Sequence, residues 1–227
     1  MNVAEAVERR SSIRDFLPTP VPGEVIRRVL ATAARAPSGG NLQPWHIDVL
    51  AGEPLQALKD LVAGRQAQQA RGERPPEPMD YSIYPKELVS PYRDWRFQVG
   101  EDMYATMGIA REDRPARLRW FARNYQFFGA PMALFCSLDR RMGPPQWSDL
   151  GMFLQTVMLL LQAEGYDSCA QECWATMART VGEVLALPPE RMLFCGMAIG
   201  LRNPAHPVNG LRSRRAPLEE FARFHGV

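Results

Sequence analysis

Two short segments rich in arginine and serine stand near opposite ends of this 227-residue chain. Arginine suits a fixed anion because its planar guanidinium donates two directed hydrogen bonds to a phosphate or carboxylate. Each segment could therefore hold a phosphate, or it could be an ordinary solvated helix end or basic tail. The residues concerned are Arg10, Ser11 and Ser12 in RRSSIRDF, and Arg212, Arg214 and Arg215 in GLRSRRAPL.

A third segment, APSGGNLQPW, contains residue types that a plain connection between a helix and a strand does not need. Pro37, Ser38, Gly39, Gly40 and Asn41 follow one another in it. The glycines would let the backbone approach a ligand closely because they have no side chain. A glycine cap on the preceding helix is the alternative, but it leaves Asn41 without a role.

Several common kinds of chemistry have no motif here. No Gly-x-Gly-x-x-Gly follows a predicted strand, and neither a Walker nor a Gly-x-Ser-x-Gly motif occurs, so nothing favours a Rossmann site or a serine hydrolase. Three histidines and four cysteines without a Cys-x-x-Cys pair are too sparse for a zinc or iron–sulfur site. We expect the cysteines to be buried free thiols in a reducing compartment.

Charge and hydropathy limit the partners. The formal net charge of +2 is too small to indicate binding to nucleic acid. The first ten residues lack the apolar core of a signal peptide, and the most apolar run, 152–163, is too short to span a bilayer. We therefore expect a cytoplasmic protein with no nucleic-acid or membrane partner.

The apolar periodicity predicts helices that alternate with a few apolar strands, which is typical of an α+β or α/β layered domain. The predicted strands are 45–50, 131–138, 166–171 and 192–201. The predicted helices are 2–8, 22–34, one around 55–62, 93–107, 114–126, 148–165, 176–185 and a short one near the end of the chain.

Two segments are expected to pack against other parts of the protein. Segment 72–91 is rich in proline and polar residues, but it also carries Tyr81 and Tyr84. We predict that it is an ordered loop or flap, because a free linker would expose these aromatic side chains. Helix 148–165 is apolar nearly all round, which places it at the centre of the domain or in a subunit interface.

Six motifs, in one order from residue 3 to about residue 224, together resemble the FMN-dependent nitroreductase family, most closely the branch that includes nitrobenzoate reductases. The resemblance implies an α+β three-layer sandwich, with a mixed, mostly antiparallel sheet flanked by helices, in an intertwined homodimer. It implies a single domain over 1–227, in which about 72–126 form an excursion that lines the substrate pocket. The motifs are ERRSSIRDF, APSGGNLQPW, DLGMFLQTVMLLLQAEG, CAQECW, CGMAIG and RSRRAPLEEF.

The same resemblance assigns the two arginine-rich segments to one site. In that family, two chains bind two FMN molecules at their interface, and bidentate arginines match a phosphate monoester well. Whether Arg212 or Arg214 assists Arg215 stays open at this point. The residues implied for the FMN phosphate are Arg10, Ser11, Ser12, Arg212 and Arg215.

The resemblance also implies contacts with the flavin ring, and Gln43 and Trp45 are expected to pack beneath the glycine-rich loop. No side chain is proposed as a general acid or base, because the flavin carries the chemistry. The implied ring contacts come from Pro37, Ser38, Gly39 and Asn41 of the partner chain, and from a backbone N–H at Gln171 or Glu172.

The implied function is an FMN-dependent oxidoreductase that uses NADH or NADPH to reduce nitroaromatic or quinone-type acceptors by a ping-pong mechanism. Two alternatives remain: the same fold with another flavin reaction, such as reductive dehalogenation or ring oxidation, and a flavin-binding protein without turnover. Four residues of the excursion could receive a substrate carboxylate or could simply be exposed: Arg93, Arg96, Tyr104 and Arg123.

Overall fold

A four-stranded antiparallel sheet lies at the centre of the computed structural model, which describes residues 1–227. Its strand order is β1-β2-β4-β3, and every pair of neighbouring strands is antiparallel. The only parallel pairing is an isolated bridge between Ser12 and Ser168. The strands are β1 (His46–Ala51), β2 (Met132–Asp139), β3 (Asp167–Gln171) and β4 (Arg191–Gly200).

Eight α-helices and four short 3₁₀ turns complete the chain. The 3₁₀ turns are Gly39–Asn41, Arg123–Gly129, Glu172–Met177 and Pro207–Gly210. The helices are α1 (Val3–Arg9), α2 (Gly23–Ala33), α3 (Gly52–Ala70), α4 (Tyr92–Thr106), α5 (Arg114–Ala122), α6 (Pro144–Ala163), α7 (Ala178–Leu185) and α8 (Leu218–Phe221). None of these helices is both long enough and apolar enough to pass through a membrane.

Helices cover both faces of the sheet, which confirms the α+β three-layer sandwich. Side chains alternate along a strand, so Phe135 of β2 faces the layer of α3 and α7, while its neighbours Leu134 and Cys136 face α2 and α6. Because β2 is buried on both faces, it has an apolar run without charges. All four strands are those that the sequence predicts.

Several element boundaries differ from the prediction. Helix α6 begins at Pro144 rather than near Ser148, because two prolines occupy its first turn, where their missing N–H groups need no partner. The helix predicted over 114–126 ends at Ala122 and continues as a 3₁₀ turn. Phe127 and Phe128 in that turn have positive φ, a conformation that α-helix does not contain.

The segment 72–91 packs on the domain without forming a helix or strand, as the sequence predicts. Glu77 is buried and accepts hydrogen bonds from the backbone N–H and the hydroxyl of Thr180 in α7. The half-buried Tyr81 donates a hydrogen bond from its hydroxyl to the carbonyl of Phe194. Tyr84 differs from the prediction, since its side chain is 48% exposed.

The two ends of the chain meet beside β3. Ile13 N–H donates to Ser168 O at 3.1 Å, and the Asn209 side chain accepts from Arg14 N–H at 2.9 Å and donates to Asp15 O at 2.7 Å. These contacts bring the segment after α1 against the segment after β4. The two arginine-rich motifs are adjacent for this reason.

Candidate functional site

An open cavity of about 450 Å³ lies where α1, α6 and the C-terminal segment meet. Both arginine-rich motifs contribute to its wall, so residues about two hundred positions apart line one space. We call it the arginine cavity. The sequence-predicted residues that line it are Arg10, Ser11, Ser12, Arg212 and Arg215, and the structure adds Arg14 and Gln155.

The arginine cavity is strongly cationic. Arg10, Arg14, Arg212 and Arg215 line it, against the single carboxylate of Glu8, and none of the four forms an ion pair within 4 Å. Burial and the positive charges of Arg215 and Arg212 lower the pKa of the Arg10 guanidinium, which still remains protonated at neutral pH. Guanidinium groups held together against their mutual repulsion are stabilised by a bound anion.

The hydroxyl of Ser11 is an unpaired donor in the wall of this cavity. Its Oγ is buried and has no hydrogen-bond partner, although buried polar groups are nearly always paired. A phosphate group could accept a hydrogen bond from this hydroxyl and further hydrogen bonds from the guanidinium N–H groups. The residues present therefore fit a phosphate group.

The structure separates the roles of three neighbouring arginines. Arg212 lines the cavity and donates to the carbonyls of Glu8 and Arg9 at 3.0 and 3.4 Å. Arg214 points away, and its Nε lies 3.6 Å from Oδ2 of Asp102 in α4. Arg212, and not Arg214, is therefore placed to assist Arg215.

Arg14, like Gln155, is a cavity residue that the sequence interpretation missed. It lies two positions after Ser12, on the same side of the buried Ile13, so strand-like alternation through SSIR was the available signal. Arg14 lines the arginine cavity and also a second, neighbouring cavity. It thus stands at the junction between the two spaces.

The second cavity has a volume of about 530 Å³ and is rich in aromatic side chains; we call it the aromatic cavity. Val99 and Leu211, like Arg14, line both cavities. Most of the aromatic wall comes from residues 72–126. Its aromatic residues are Tyr84, Phe97, Tyr104, Trp120, Phe121 and Phe128.

The four residues considered for a substrate carboxylate differ in availability. Arg123 forms an ion pair with Asp15 at 2.5 Å and does not line the aromatic cavity. Arg93 lines it but is paired with the adjacent Asp94 at 2.8 Å, and Tyr104 lies beneath the guanidinium of Arg117. Arg96 lies over the ring of Tyr84 at 4.2 Å and has no carboxylate partner.

The end of β3 connects to the aromatic cavity through Asn124. The buried Gln171 donates from Nε2 to Asn124 O at 2.8 Å, and its Oε1 has no partner. Gln171 lies three residues along β3 from Ser168, which corresponds to about 10 Å in a strand. Glu172 begins the following 3₁₀ turn, and partial desolvation raises the pKa of its carboxyl group.

A glycine opposite Gln171 fixes the position of that turn. Gly196 of β4 pairs with Gln171, and Trp174 packs directly against it: a Cβ at this position would lie 2.5 Å from Cδ1 of Trp174. The first glycine in CGMAIG therefore lets the indole fill the core beneath the 3₁₀ turn. This contact holds the Gln171–Glu172 backbone in place at the sheet edge.

The glycine-rich loop lies elsewhere in the protomer. None of Pro37, Ser38, Gly39 and Asn41 lines either cavity, and only Ser38 of these is not fully exposed. Gly39 N–H donates to both oxygens of the buried Asp149 at 3.3 Å. The loop is thus anchored on α6 and forms no part of the wall of the arginine cavity of its own chain.

Two expectations for this loop were wrong and one is confirmed. The loop glycines do not cap α2, because that helix ends at Ala33, before the loop begins. Gln43 is exposed rather than packed beneath the loop; its φ is positive, and its backbone N–H donates to Ser38 Oγ at 3.0 Å. Trp45 does pack below, with its ring centroid 4.7 Å from that of Phe153.

The four cysteines are free thiols, and three of them are buried. Burial raises the pKa of Cys195 and that of the half-buried Cys173 to about 12. A thiol with so high a pKa is unreactive at neutral pH. No group of three or more His, Cys, Asp or Glu residues is arranged to hold a metal ion.

Comparison with known proteins identifies the family. The family model described as the Nitroreductase family matches residues 7–201. This chain belongs to the nitroreductase family. It is 34% identical over 220 residues to 4-nitrobenzoate reductase of Pseudomonas putida. The aligned region covers 97% of this chain and 94% of the relative.

Solved structures of the nitroreductase family have the same fold. FMN and NADPH-dependent nitroreductase NfnB from Sphigopyxis sp. strain HMH is 45% identical, with a TM-score of 0.95 and complete coverage of both chains (100% each). FMN-dependent NfnB from Mycobacterium smegmatis, solved in complex with NADPH, is 30% identical, with a TM-score of 0.90 over 99% of this chain and 100% of that chain. The resemblance carried by the six motifs is confirmed.

Proposed function

We propose that this chain is an FMN-dependent oxidoreductase that uses NADH or NADPH to reduce nitroaromatic or quinone-type acceptors. The observation that carries the proposal is the arginine cavity, in which three predicted arginines and an unpartnered buried hydroxyl converge from both ends of the chain. The similarity to NfnB of Sphigopyxis sp. strain HMH, which is described as an FMN and NADPH-dependent nitroreductase, supports the same function.

The residues of the arginine cavity would hold the FMN phosphate. Arg10, Arg212 and Arg215 would donate charge-assisted hydrogen bonds, and the Ser11 hydroxyl would gain the partner that it lacks. Ser12 lies on the same wall. Bound FMN supplies hydride-transfer chemistry that no side chain of the protein can supply.

The segment between the two cavities would orient the flavin ring. Arg14 lies at their junction, where its fixed positive charge would favour an electron-rich ring. A backbone N–H at Gln171 or Glu172 would donate to flavin N5, since the first N–H groups of a helical turn have no partner within it. These groups would position the flavin ring and would not act as acids or bases.

The aromatic cavity would receive the acceptor and the nicotinamide in turn, which would give ping-pong kinetics. Its aromatic side chains suit flat, apolar rings, and most of them belong to the excursion over about 72–126. Of the two arginines from α4 in its wall, Arg96 alone lacks a carboxylate partner. We assign an anionic substituent of the substrate, if one is present, to Arg96.

The functional unit would be a cytoplasmic homodimer. Pro37, Ser38, Gly39 and Asn41 do not line the cavities of their own chain, and they would cover the flavin of the partner. Helix α6 would provide part of the interface, since Met152 on this apolar helix is 39% exposed. The C-terminal arm from Asn209 to Phe224 would supply another part.

Flavin spectroscopy tests the proposal. The purified protein, incubated with FMN and desalted, should retain the flavin and be yellow. Anaerobic NADH or NADPH should bleach the flavin absorbance, and 4-nitrobenzoate should restore it. A colourless protein would contradict FMN binding, whereas a yellow protein that no nicotinamide bleaches would contradict the enzymatic role.

A further inference from the structure

Gln155 of α6 is the one uncharged amide in the wall of the arginine cavity. Its side chain is half-buried, and it makes no hydrogen bond within the protein. Gln162, two turns further along the same helix, differs because it donates to Tyr166 O and to Asp167 Oδ1, both at 2.9 Å. Gln162 is committed to the fold, whereas the amide of Gln155 is free for a ligand.

The surroundings of Gln155 determine what such a ligand must be. The charged side chains in the cavity are four arginines and Glu8, and the hydroxyl of Ser11 is buried there without a partner. An anion in this space accepts hydrogen bonds, and an amide NH₂ is a donor that adds no further charge repulsion to the cluster. Gln155 therefore complements the arginines as a neutral donor from helix α6.

We propose that Gln155 binds the phosphate group of FMN by donating a hydrogen bond from its amide, a contact that rests on the proposed function. The phosphate then joins three elements: the segment after α1 through Arg10, the C-terminal segment through Arg215, and α6 through Gln155. The same helix carries Asp149, which holds the glycine-rich loop. Phosphate binding and loop position are thus linked through one helix.

Comparison of FMN with riboflavin isolates the phosphate contact. The full-length apoprotein and its Gln155→Met variant are titrated with each flavin, and the quenching of flavin fluorescence gives both dissociation constants. Methionine keeps the size of glutamine and removes its hydrogen bonds. Thr156→Val on the same helix is the control, because its hydroxyl bonds only to Met152 O.

We expect Gln155→Met to weaken FMN binding about tenfold, as expected for the loss of one hydrogen bond to a charged group, and to leave riboflavin binding unchanged. Gln155→Glu should weaken FMN binding further, with an effect that decreases as salt is added. Thr156→Val should change neither constant.

Two results would overturn the assignment of Gln155. An unchanged FMN constant in Gln155→Met would show that the amide does not reach the ligand, and an equal loss for FMN and riboflavin would place the contact on the part that they share. Failure of the wild-type protein to bind FMN would instead contradict the proposed function itself.

Discussion

At the scale of single residues, Arg10 is central to the proposed phosphate site because it is half-buried and has no carboxylate partner. Arg10→Ala should weaken FMN binding about ten- to a hundredfold, which corresponds to about 1.5–3 kcal/mol for one hydrogen bond to a charged group. Fluorescence titration of the apoprotein measures this change.

Arg214→Ala is the matched control for Arg10→Ala. Arg214 belongs to the same cluster of arginines in sequence, but it pairs with Asp102 outside the cavity. Its replacement should leave the FMN dissociation constant within about twofold of the wild-type value. Equal effects of the two substitutions would mean that general positive charge, rather than the geometry of the cavity, holds the phosphate.

Asp167 should make the stability of the protein depend on pH. Burial opposes ionisation of this carboxyl group, but hydrogen bonds from Arg202 and Gln162 prevail and lower its pKa. The folded-state pKa therefore lies below the unfolded value of about 4, so its contribution is complete above that pH and is lost as the pH falls through the folded-state pKa. Asp167→Asn should reduce the loss of stability between about pH 5 and pH 2.

Urea unfolding at several pH values measures the effect of Asp167→Asn. The free energy of unfolding should fall by about 1–3 kcal/mol at pH 7, and the difference from wild type should shrink as the solution becomes acidic. Asp60→Asn, on the exposed surface of α3, serves as the control. A constant difference at every pH would contradict the proposed linkage.

At the scale of elements, α6 determines where the glycine-rich loop lies. The buried Asp149 accepts the Gly39 N–H on both carboxylate oxygens. Asp149→Leu removes this acceptor, so amide hydrogen exchange over 37–43 should be at least about tenfold faster. Asp149→Asn keeps one acceptor oxygen and should have a smaller effect. Slow exchange in both variants would show that other contacts hold the loop.

The segment 72–91 depends on a second buried carboxylate. Glu77 accepts two hydrogen bonds from Thr180 and lies 3.9 Å from Arg65 and 3.7 Å from Arg74. Glu77→Ala should lower the free energy of unfolding by about 2–4 kcal/mol, because Arg65 and Thr180 lose a buried partner. Limited proteolysis should then cut within 72–91.

Glu87→Ala is the control in the same segment, since Glu87 is exposed and makes no hydrogen bond or ion pair. It should change neither the urea midpoint nor the proteolysis pattern. Should Glu77→Ala unfold at the wild-type urea concentration, the packing of Tyr81 and its neighbours would be sufficient to hold the segment.

At the scale of the whole molecule, the proposed dimer makes FMN binding and association mutually dependent. FMN that contacts two chains stabilises the dimer, and dimerisation raises FMN affinity by the same factor. We expect an obligate interface above about 2,000 Å². Sedimentation followed at the flavin absorbance should show FMN only with the dimer. Flavin that sediments with a stable monomer would contradict the proposed FMN site between two chains.

Mixed dimers identify which chain supplies the loop. One chain carries Arg10→Ala, and the other carries Ser38→Ala with Asn41→Ala. If the loop serves the partner's cavity, both changes fall on one site and the mixed dimer keeps one tight FMN site. If the loop serves its own chain, each site is damaged once and no tight site remains.

The sequence by itself determined the elements and the chemical character of the site. Because β2 is buried on both faces, its buried side chains are free of charge, and it stands out as an apolar run. Such local patterns of apolar residues made the four strands predictable. Local backbone effects moved the boundaries, as the prolines at the start of α6 show. The arginine- and serine-rich motifs indicated phosphate chemistry, but the resemblance to a family was needed to place them in one site.

Only the tertiary structure decided which residues share a space. Arg212 and Arg214 are chemically identical and two positions apart, and their different partners, α1 carbonyls and Asp102, come from elements distant in sequence. Arg14 and Gln155 joined the cavity for the same reason, since the pairing of Ser12 with Ser168 and the packing of α1 on α6 set their positions. A sequence specifies what each side chain can do, whereas long-range packing specifies which side chains meet.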